Sequence, residues 1–181
     1  MIREIWRKEI RAELYTWKST AWILIASLLF SFTSYLLLSN KELSLLDQTE
    51  LLLLLGKIII GVSLLVVAVD ASTIITAEFE KETAESIFLS PVTVMQFILG
   101  KLCASLTLWG VIYLVAVPYI LVASSGTNLA MSFLIYTALL GSIIITGFIL
   151  IIFSISLLFR SGKSTLSTSL ILVLIFTLAA M

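Results

Sequence analysis

The chain contains five long and nearly uninterrupted apolar runs, and these limit its fold more than any other feature. A helix needs about 20 consecutive apolar residues to cross a bilayer. A membrane β-barrel shows instead segments of about ten residues in which apolar and polar side chains alternate. The runs therefore predict an all-α, polytopic helical membrane protein with one transmembrane domain over residues 1–181. The predicted spans are 19–38, 51–76, 102–122, 129–159 and 165–181.

The composition agrees with this fold class and excludes several functions. The chain is 60% hydrophobic and 12% charged, whereas soluble domains average about half apolar and a quarter charged. Eleven basic and eleven acidic residues give no net charge, so nothing indicates nucleic-acid binding. There is no His, which excludes Ser-His and Cys-His catalysis, HExxH zinc sites and His-ligated haem. The single cysteine, Cys103, lies in an apolar run and is interpreted as a small buried apolar residue.

Residues 2–17 form an amphipathic pattern before the first span. The apolar side chains recur at helical spacing, and the basic side chains lie largely off that face. We interpret the segment as a helix in the headgroup plane, the alternative being a helix that packs on a soluble partner. The apolar face consists of Ile2, Ile5, Trp6, Ile10, Leu14 and Trp17.

A polar stretch, AEFEKETAESIFLSP at 77–91, separates the second and third spans. Its residues favour a helix up to Pro91. We therefore predict a helix that lies across the membrane surface. Ser90 and Pro91 then read as the start of a new helix, and Gly100-Lys101 is expected to divide that helix from the third span.

Basic residues predict the orientation, because they are more frequent in cytoplasmic loops. With the N-terminus inside, only Lys41 and Lys57 lie outside, and the stem of Lys57 can reach the headgroups. This places 77–91 in the cytoplasm and predicts a multi-pass protein of the plasma membrane. The cytoplasmic basic residues are Arg3, Arg7, Lys8, Arg11, Lys18, Lys81, Lys101, Arg160 and Lys163.

Asp70 is an acidic residue inside the second span. A charge at mid-bilayer costs about 3 kcal/mol on insertion scales. Asp70 is a candidate pathway residue that faces water, binds a cation or pairs with a base. The alternative is a position at the cytoplasmic interface.

Two apparent catalytic motifs are rejected. Gly162-Lys163-Ser164 resembles the end of a phosphate-binding loop, but Leu157 stands where that loop needs a glycine. An aspartyl intramembrane protease needs a second membrane carboxylate beside Asp70. The residues alone therefore predict a helical membrane subunit without a catalytic, cofactor-binding or metal-binding site of its own.

The pattern E-x-E-x-E-T-x-E, followed by P-V and a later G-K, resembles the cytoplasmic loop of type-2 ABC transporter permeases. Together with the amphipathic N-terminal helix and the order of spans, the resemblance covers nearly the whole chain. Glu82 stands where the family usually has Gly, so this helix is expected to be stiffer or longer. The matching residues are Glu78, Glu80, Thr83, Glu85, Pro91, Val92, Gly100 and Lys101.

The resemblance implies a subunit of an ATP-driven exporter with an N-terminal elbow helix at 2–17 and a coupling helix at 77–91. The coupling helix would sit in a cleft of a separate ABC ATPase subunit, which holds ATP and Mg²⁺. A second permease protomer, identical or different, would complete the transporter. The family usually has six spans, which predicts a missing end in this chain. The expected docking residues are Glu78, Phe79, Glu80, Glu82, Thr83, Glu85, Ile87, Phe88 and Pro91.

Two other function classes stay open. One is an ion-coupled carrier, or a fragment of one, that uses Asp70 as its ion or proton site. The other is a non-transporting membrane anchor for a cytosolic ATPase. The aliphatic spans suit a lipid-like cargo but suit contact with lipid equally, so they do not identify a substrate.

Overall fold

The computed structural model describes residues 17–39, 48–80, 94–125, 128–159 and 161–180. Within these ranges no strand occurs, so the prediction of an all-α fold is confirmed for the part of the chain described. The predicted elbow helix lies outside the described residues apart from Trp17. The five helices are α1 (Trp17–Ser39), α2 (Gln48–Glu80), α3 (Val94–Ala123), α4 (Ala130–Phe159) and α5 (Gly162–Ala180).

Four of these helices are long and apolar enough to cross a membrane. α5 has a shorter apolar stretch, Gly162–Leu178. The 33 residues of α2 rise over about 50 Å at 1.5 Å per residue, which exceeds the ~30 Å thickness of the hydrocarbon core. The four stretches are Ser19–Leu37, Thr49–Ala77, Met95–Ala123 and Ala130–Phe159.

Two helices extend beyond the predicted spans, both beside the polar stretch. α2 continues through Ala77 to Glu80, so the first residues of the predicted coupling helix belong to the long helix. α3 passes through Gly100 and Lys101 without the expected division. Glycine costs only about 1 kcal/mol inside a helix, and the burial of Gly100 and Lys101 shows that this part of α3 is packed against the bundle.

α2 lies at the centre of the bundle and contacts the other four helices. Half of its most apolar stretch is buried, compared with 22% for α1, 28% for α3 and 33% for α4. One core cluster joins α2 to α3, α4 and α5 around Ala71, Trp109, Ile149 and Val173. A second joins α1, α2 and α3.

Successive helices run in opposite directions, so the bundle has two distinct ends. At the first, α2 ends and α3 begins, and Lys101 Nζ lies 3.1 Å from the carbonyl oxygen of Ile74. We call this the Lys101 end. At the other, which we call the Lys57 end, α2 and α4 begin and α3 ends. α2 and α4 are therefore parallel to each other and antiparallel to α3 and α5.

A close approach of α3 to α4 depends on Gly141. A Cβ at this position would lie 2.7 Å from Cζ2 of Trp109. The Trp109 ring is 4% exposed, and its Nε1 donates a hydrogen bond of 3.1 Å to Ser142 Oγ. Nearby, the Tyr113 hydroxyl donates to the carbonyl oxygen of Leu134 at 2.7 Å. The indole ring thus packs on α4 at Gly141, where the Cβ of any other residue would overlap it.

The outside of the bundle is strongly apolar. Leu28, Ile143, Leu158 and Leu178 are each at least 70% exposed. Single exposed apolar side chains are normal in soluble proteins, but continuous apolar surfaces mark contact with membrane or protein. The exposed residues of α1, α4 and α5 therefore suit a surface in contact with lipid.

Replacement of Gly141 by alanine should destabilise the bundle by about 1–3 kcal/mol, because the new methyl group overpacks a filled site. Gly147 is the matched control, since it lies on the same helix with nothing within 4 Å of an added Cβ. Gly147→Ala should be neutral or slightly stabilising. Thermal unfolding of both variants in one detergent, followed by tryptophan fluorescence, measures the difference. Equal midpoints would contradict the proposed role of the contact.

Candidate functional site

The structure describes only part of the predicted docking segment. Glu78, Phe79 and Glu80 belong to the last turn of α2, and nothing further is described of their side chains. Asp70, the predicted pathway residue, is described in full. The remaining predicted docking residues lie outside the described residues: Glu82, Thr83, Glu85, Ile87, Phe88 and Pro91.

Lys101 is the best-defined charged side chain at the Lys101 end. It is only 2% exposed, although its position in the sequence placed it among the cytoplasmic basic residues. Its Nζ donates a hydrogen bond of 3.1 Å to the carbonyl oxygen of Ile74 and lies 4.9 Å from the ring centroid of Phe97. The hydrogen bond joins the end of α2 to the beginning of α3, and the Phe97 ring adds a cation–π contact.

Asp70 lies on the same part of α2 as the carbonyl group that Lys101 reaches. It is 7% exposed, which favours the interior alternatives for this residue over an exposed position at the interface. Ile74 follows Asp70 by one helical turn, so the two residues share a face of α2. A buried charge is costly unless an opposite charge or hydrogen bonds compensate it. Of the interior alternatives for Asp70, pairing with a base is favoured by the burial of Lys101 against the carbonyl oxygen one turn further along α2.

The hydroxyl groups that follow Asp70 donate to their own helix. Ser72 Oγ bonds to the carbonyl oxygen of Val69 at 2.8 Å. Thr73 Oγ1 bonds to that of Asp70 at 2.9 Å, and Thr76 Oγ1 to that of Ser72 at 2.7 Å. Their protons are therefore not available to a neighbouring group, and α2 contributes oxygen lone pairs rather than donors to the space beside it.

Ser105 follows Lys101 by about one turn of α3. This side chain is fully buried, and its Oγ has no hydrogen-bond partner among the described residues. An unsatisfied buried hydroxyl costs about 1–3 kcal/mol, so a polar group is expected beside it.

The same end of the bundle holds further buried hydroxyl groups on α4 and α5. Ser156, Thr165 and Ser169 are fully buried, and each donates within its own segment. Together with Asp70, Ser72, Thr76, Lys101 and Ser105 they form what we call the polar layer. Sequence reasoning named Asp70 and Lys101 separately and missed their common layer. The available signal was a lysine as the one charged residue in the mainly apolar run 94–123.

The best-defined contact of the polar layer joins two helices. Among the described residues, no group of three His, Cys, Asp or Glu side chains is placed to hold a metal ion. The described contact of Lys101 instead fastens α2 to α3 at the two helix ends that flank 81–93. A force applied between those ends would act first on this contact.

Comparison with protein-family models, with curated proteins and with solved structures gave no match to this chain.

The coupling between Asp70 and Lys101 can be measured by a double-mutant cycle. Lys101→Met should destabilise the bundle by about 1.5–3 kcal/mol, because it removes a charged hydrogen bond. Asp70→Asn in the same background should recover part of this loss, since no excess buried charge then remains. We expect a coupling energy of about 1 kcal/mol or more from denaturant titrations of the four proteins.

Ser63 provides a control for that cycle. It is a fully buried polar residue of α2, and its Oγ bonds to the carbonyl oxygen of Ile59 at 2.7 Å within its own helix. Ser63→Ala combined with Lys101→Met should give additive changes. Additive changes for Asp70→Asn with Lys101→Met as well would show that the two charges do not interact.

Proposed function

We propose that the chain is the membrane-spanning permease subunit of an ATP-driven exporter of the type-2 ABC class. In this proposal the chain binds no nucleotide, and a separate ATPase subunit supplies the energy of ATP. The N-terminus is cytoplasmic, and a second permease protomer completes the translocation path. The observation that carries the proposal is the motif between 77 and 101, which begins at the end of α2 and finishes at Lys101 on α3.

The geometry around Lys101 supports this proposal because the final lysine of the motif joins α3 to α2. Lys101 binds the carbonyl oxygen of Ile74, so the two helices that enter and leave 81–93 are joined at their ends. A partner that moves 81–93 would therefore displace α2 and α3 together. α2 contacts all the other helices, and a displacement of α2 reaches the whole bundle.

The carboxylates of 77–91 define the expected partner surface. Glu78, Glu80, Glu82 and Glu85 would meet basic residues of the ATPase, and Phe79, Thr83 and Ile87 would form a packing ridge. Complementary charges between two proteins raise the association rate and specify the partner. The ATPase is thus expected to present a basic cleft at the cytoplasmic face.

The test is copurification with an ATPase subunit encoded beside the chain. Reversal of two charges, Glu80→Lys with Glu85→Lys, should weaken ATPase binding by at least about tenfold, since each interfacial charge reversal costs more than 1 kcal/mol. Glu50→Lys is the matched control, because Glu50 is an exposed carboxylate at the opposite end of α2. Normal binding and ATPase-dependent export by the doubly reversed protein would contradict the proposal.

A second candidate function is favoured by the burial of Asp70. A carboxylate that is 7% exposed inside a long apolar helix is the usual mark of an ion or proton site in a carrier. In this alternative the chain uses an ion gradient and needs no ATPase.

The two functions predict different behaviour of one variant. For a carrier, Asp70→Asn should abolish uptake driven by an ion gradient in vesicles without ATP. For an exporter, the same variant should retain most ATP-driven transport per folded protein, since Lys101 keeps its bond to the carbonyl oxygen of Ile74. A wild-type protein that transports only when the ATPase and ATP are present excludes the carrier.

A further inference from the structure

A pocket lies near the Lys57 end, between α2, α4 and α5. Its volume is about 490 Å³, within the 300–1,000 Å³ that is typical of small-molecule sites. The first halves of α2 and α4 form two of its walls, and Phe176 and Thr177 of α5 form the third. It is separate from the polar layer, which occupies the other end of the same helices.

Gly61 leaves space in the wall of this pocket. An added Cβ would make only ordinary contact with Thr177, at 3.8 Å. Gly56, five residues earlier, differs because its added Cβ would lie 2.9 Å from the Phe133 ring. A Cβ is therefore accommodated at Gly61, which lines the pocket, whereas one at Gly56 would displace the Phe133 ring.

The pocket walls suit hydrocarbon rather than a polar ligand. Thr137 and Thr177 are the hydroxyl residues with satisfied donors among its lining: Thr137 bonds to the carbonyl oxygen of Phe133 at 2.8 Å, and Thr177 to that of Val173 at 2.9 Å. The other lining side chains are mostly aliphatic or aromatic. An apolar chain on entering would break neither of these two bonds, and the third hydroxyl of the lining, on Tyr136, belongs to a residue that is 52% exposed.

Lys57 supplies the charge at the edge of the pocket. It is exposed and is the one lining residue with a charged side chain. A flexible lysine stem lies along apolar surface and keeps its ammonium group in a polar environment. An occupant with a hydrocarbon chain and an anionic headgroup therefore matches both parts of the site.

We propose that this pocket binds an anionic glycerophospholipid of the surrounding bilayer, with one acyl chain in the pocket and the phosphate on Lys57. The proposal is independent of ATP-driven export, because it concerns the Lys57 end alone. A zwitterionic lipid would gain the apolar contact but less from the ammonium group. A second copy of the chain is the other occupant that the experiment must distinguish.

The probe is a phosphatidylglycerol with a photoreactive diazirine in one acyl chain, in nanodiscs of otherwise plain phosphatidylcholine. Mass spectrometry locates the labelled residues. In the wild-type protein, labels should concentrate on residues 53–65 and 133–144. Lys57→Gln should reduce this labelling about fivefold, in line with the attraction of one lysine for an anionic lipid. Lys57→Arg should retain it.

Gly61→Leu should abolish labelling within the pocket and leave labels on other exposed faces unchanged. Gly147→Leu is the matched control, since it adds the same side chain to an exposed glycine with no neighbour within 4 Å. If Gly61→Leu does not elute as a folded protein, Leu53→Trp narrows the pocket from its exposed side. Leu53 lines the pocket and is 49% exposed.

Three results would overturn the proposal. One is labelling spread evenly over the apolar surface of the protein. Another is equal labelling by diazirine analogues of phosphatidylglycerol and phosphatidylcholine. The third is a pocket closed by a second copy, seen as a cross-link between protomers of the Tyr136→Cys variant with no lipid label in the pocket.

Discussion

The described outer surface of this bundle is strongly apolar, and the rest of the structure depends on that constraint. When lipid surrounds the helices, burial of leucine against leucine gives little advantage over leucine against lipid. Helices must then associate through close packing and a small number of polar contacts. Gly141 admits the Trp109 ring, and the Tyr119 hydroxyl lies 3.2 Å from Ser27 Oγ. Such contacts, few in number, define which helices are neighbours.

Hydroxyl side chains satisfy this constraint in a consistent way. Thr76, Thr137, Ser156 and Thr177 all donate to a carbonyl oxygen four residues earlier. A hydroxyl group that donates to a carbonyl oxygen of its own helix is tolerated in an apolar environment without a partner on another helix. The contacts that larger polar groups make with another helix are therefore the ones that indicate which helices are neighbours. Lys101 is the clearest case, because the bond to Ile74 joins two helices that are separated by 81–93 in the chain.

The helical architecture could be predicted from the apolar runs, since their length exceeds what a soluble helix needs and excludes a barrel. The ends of the helices were harder to predict. Hydropathy falls at Gly100 and Lys101, but the helix continues because Lys101 finds a carbonyl partner on α2. The association of Gly141 with Trp109 could not be predicted either, as no local pattern links positions on different helices. For the site, sequence reasoning found Asp70 but not its neighbours, because register between helices depends on three-dimensional packing.

Lys57, Asp70 and Lys101 illustrate how the position of a charge decides what it contributes. Lys57 is exposed, so its ammonium group remains solvated or free to meet a headgroup, and it costs the bundle little. Asp70 and Lys101 are buried, and each would cost several kcal/mol alone. The bond of Lys101 to the carbonyl oxygen of Ile74 makes the junction of α2 with α3 specific, and a pairing with Asp70 would compensate both charges. α2 holds no proline between the pocket near Lys57 and the buried Asp70, and Gly61 is the last glycine before Asp70. The segment of α2 between the Lys101–Ile74 contact and the pocket is therefore stiff. A displacement of α2 at that contact is transmitted to the pocket unless the helix bends at Gly61.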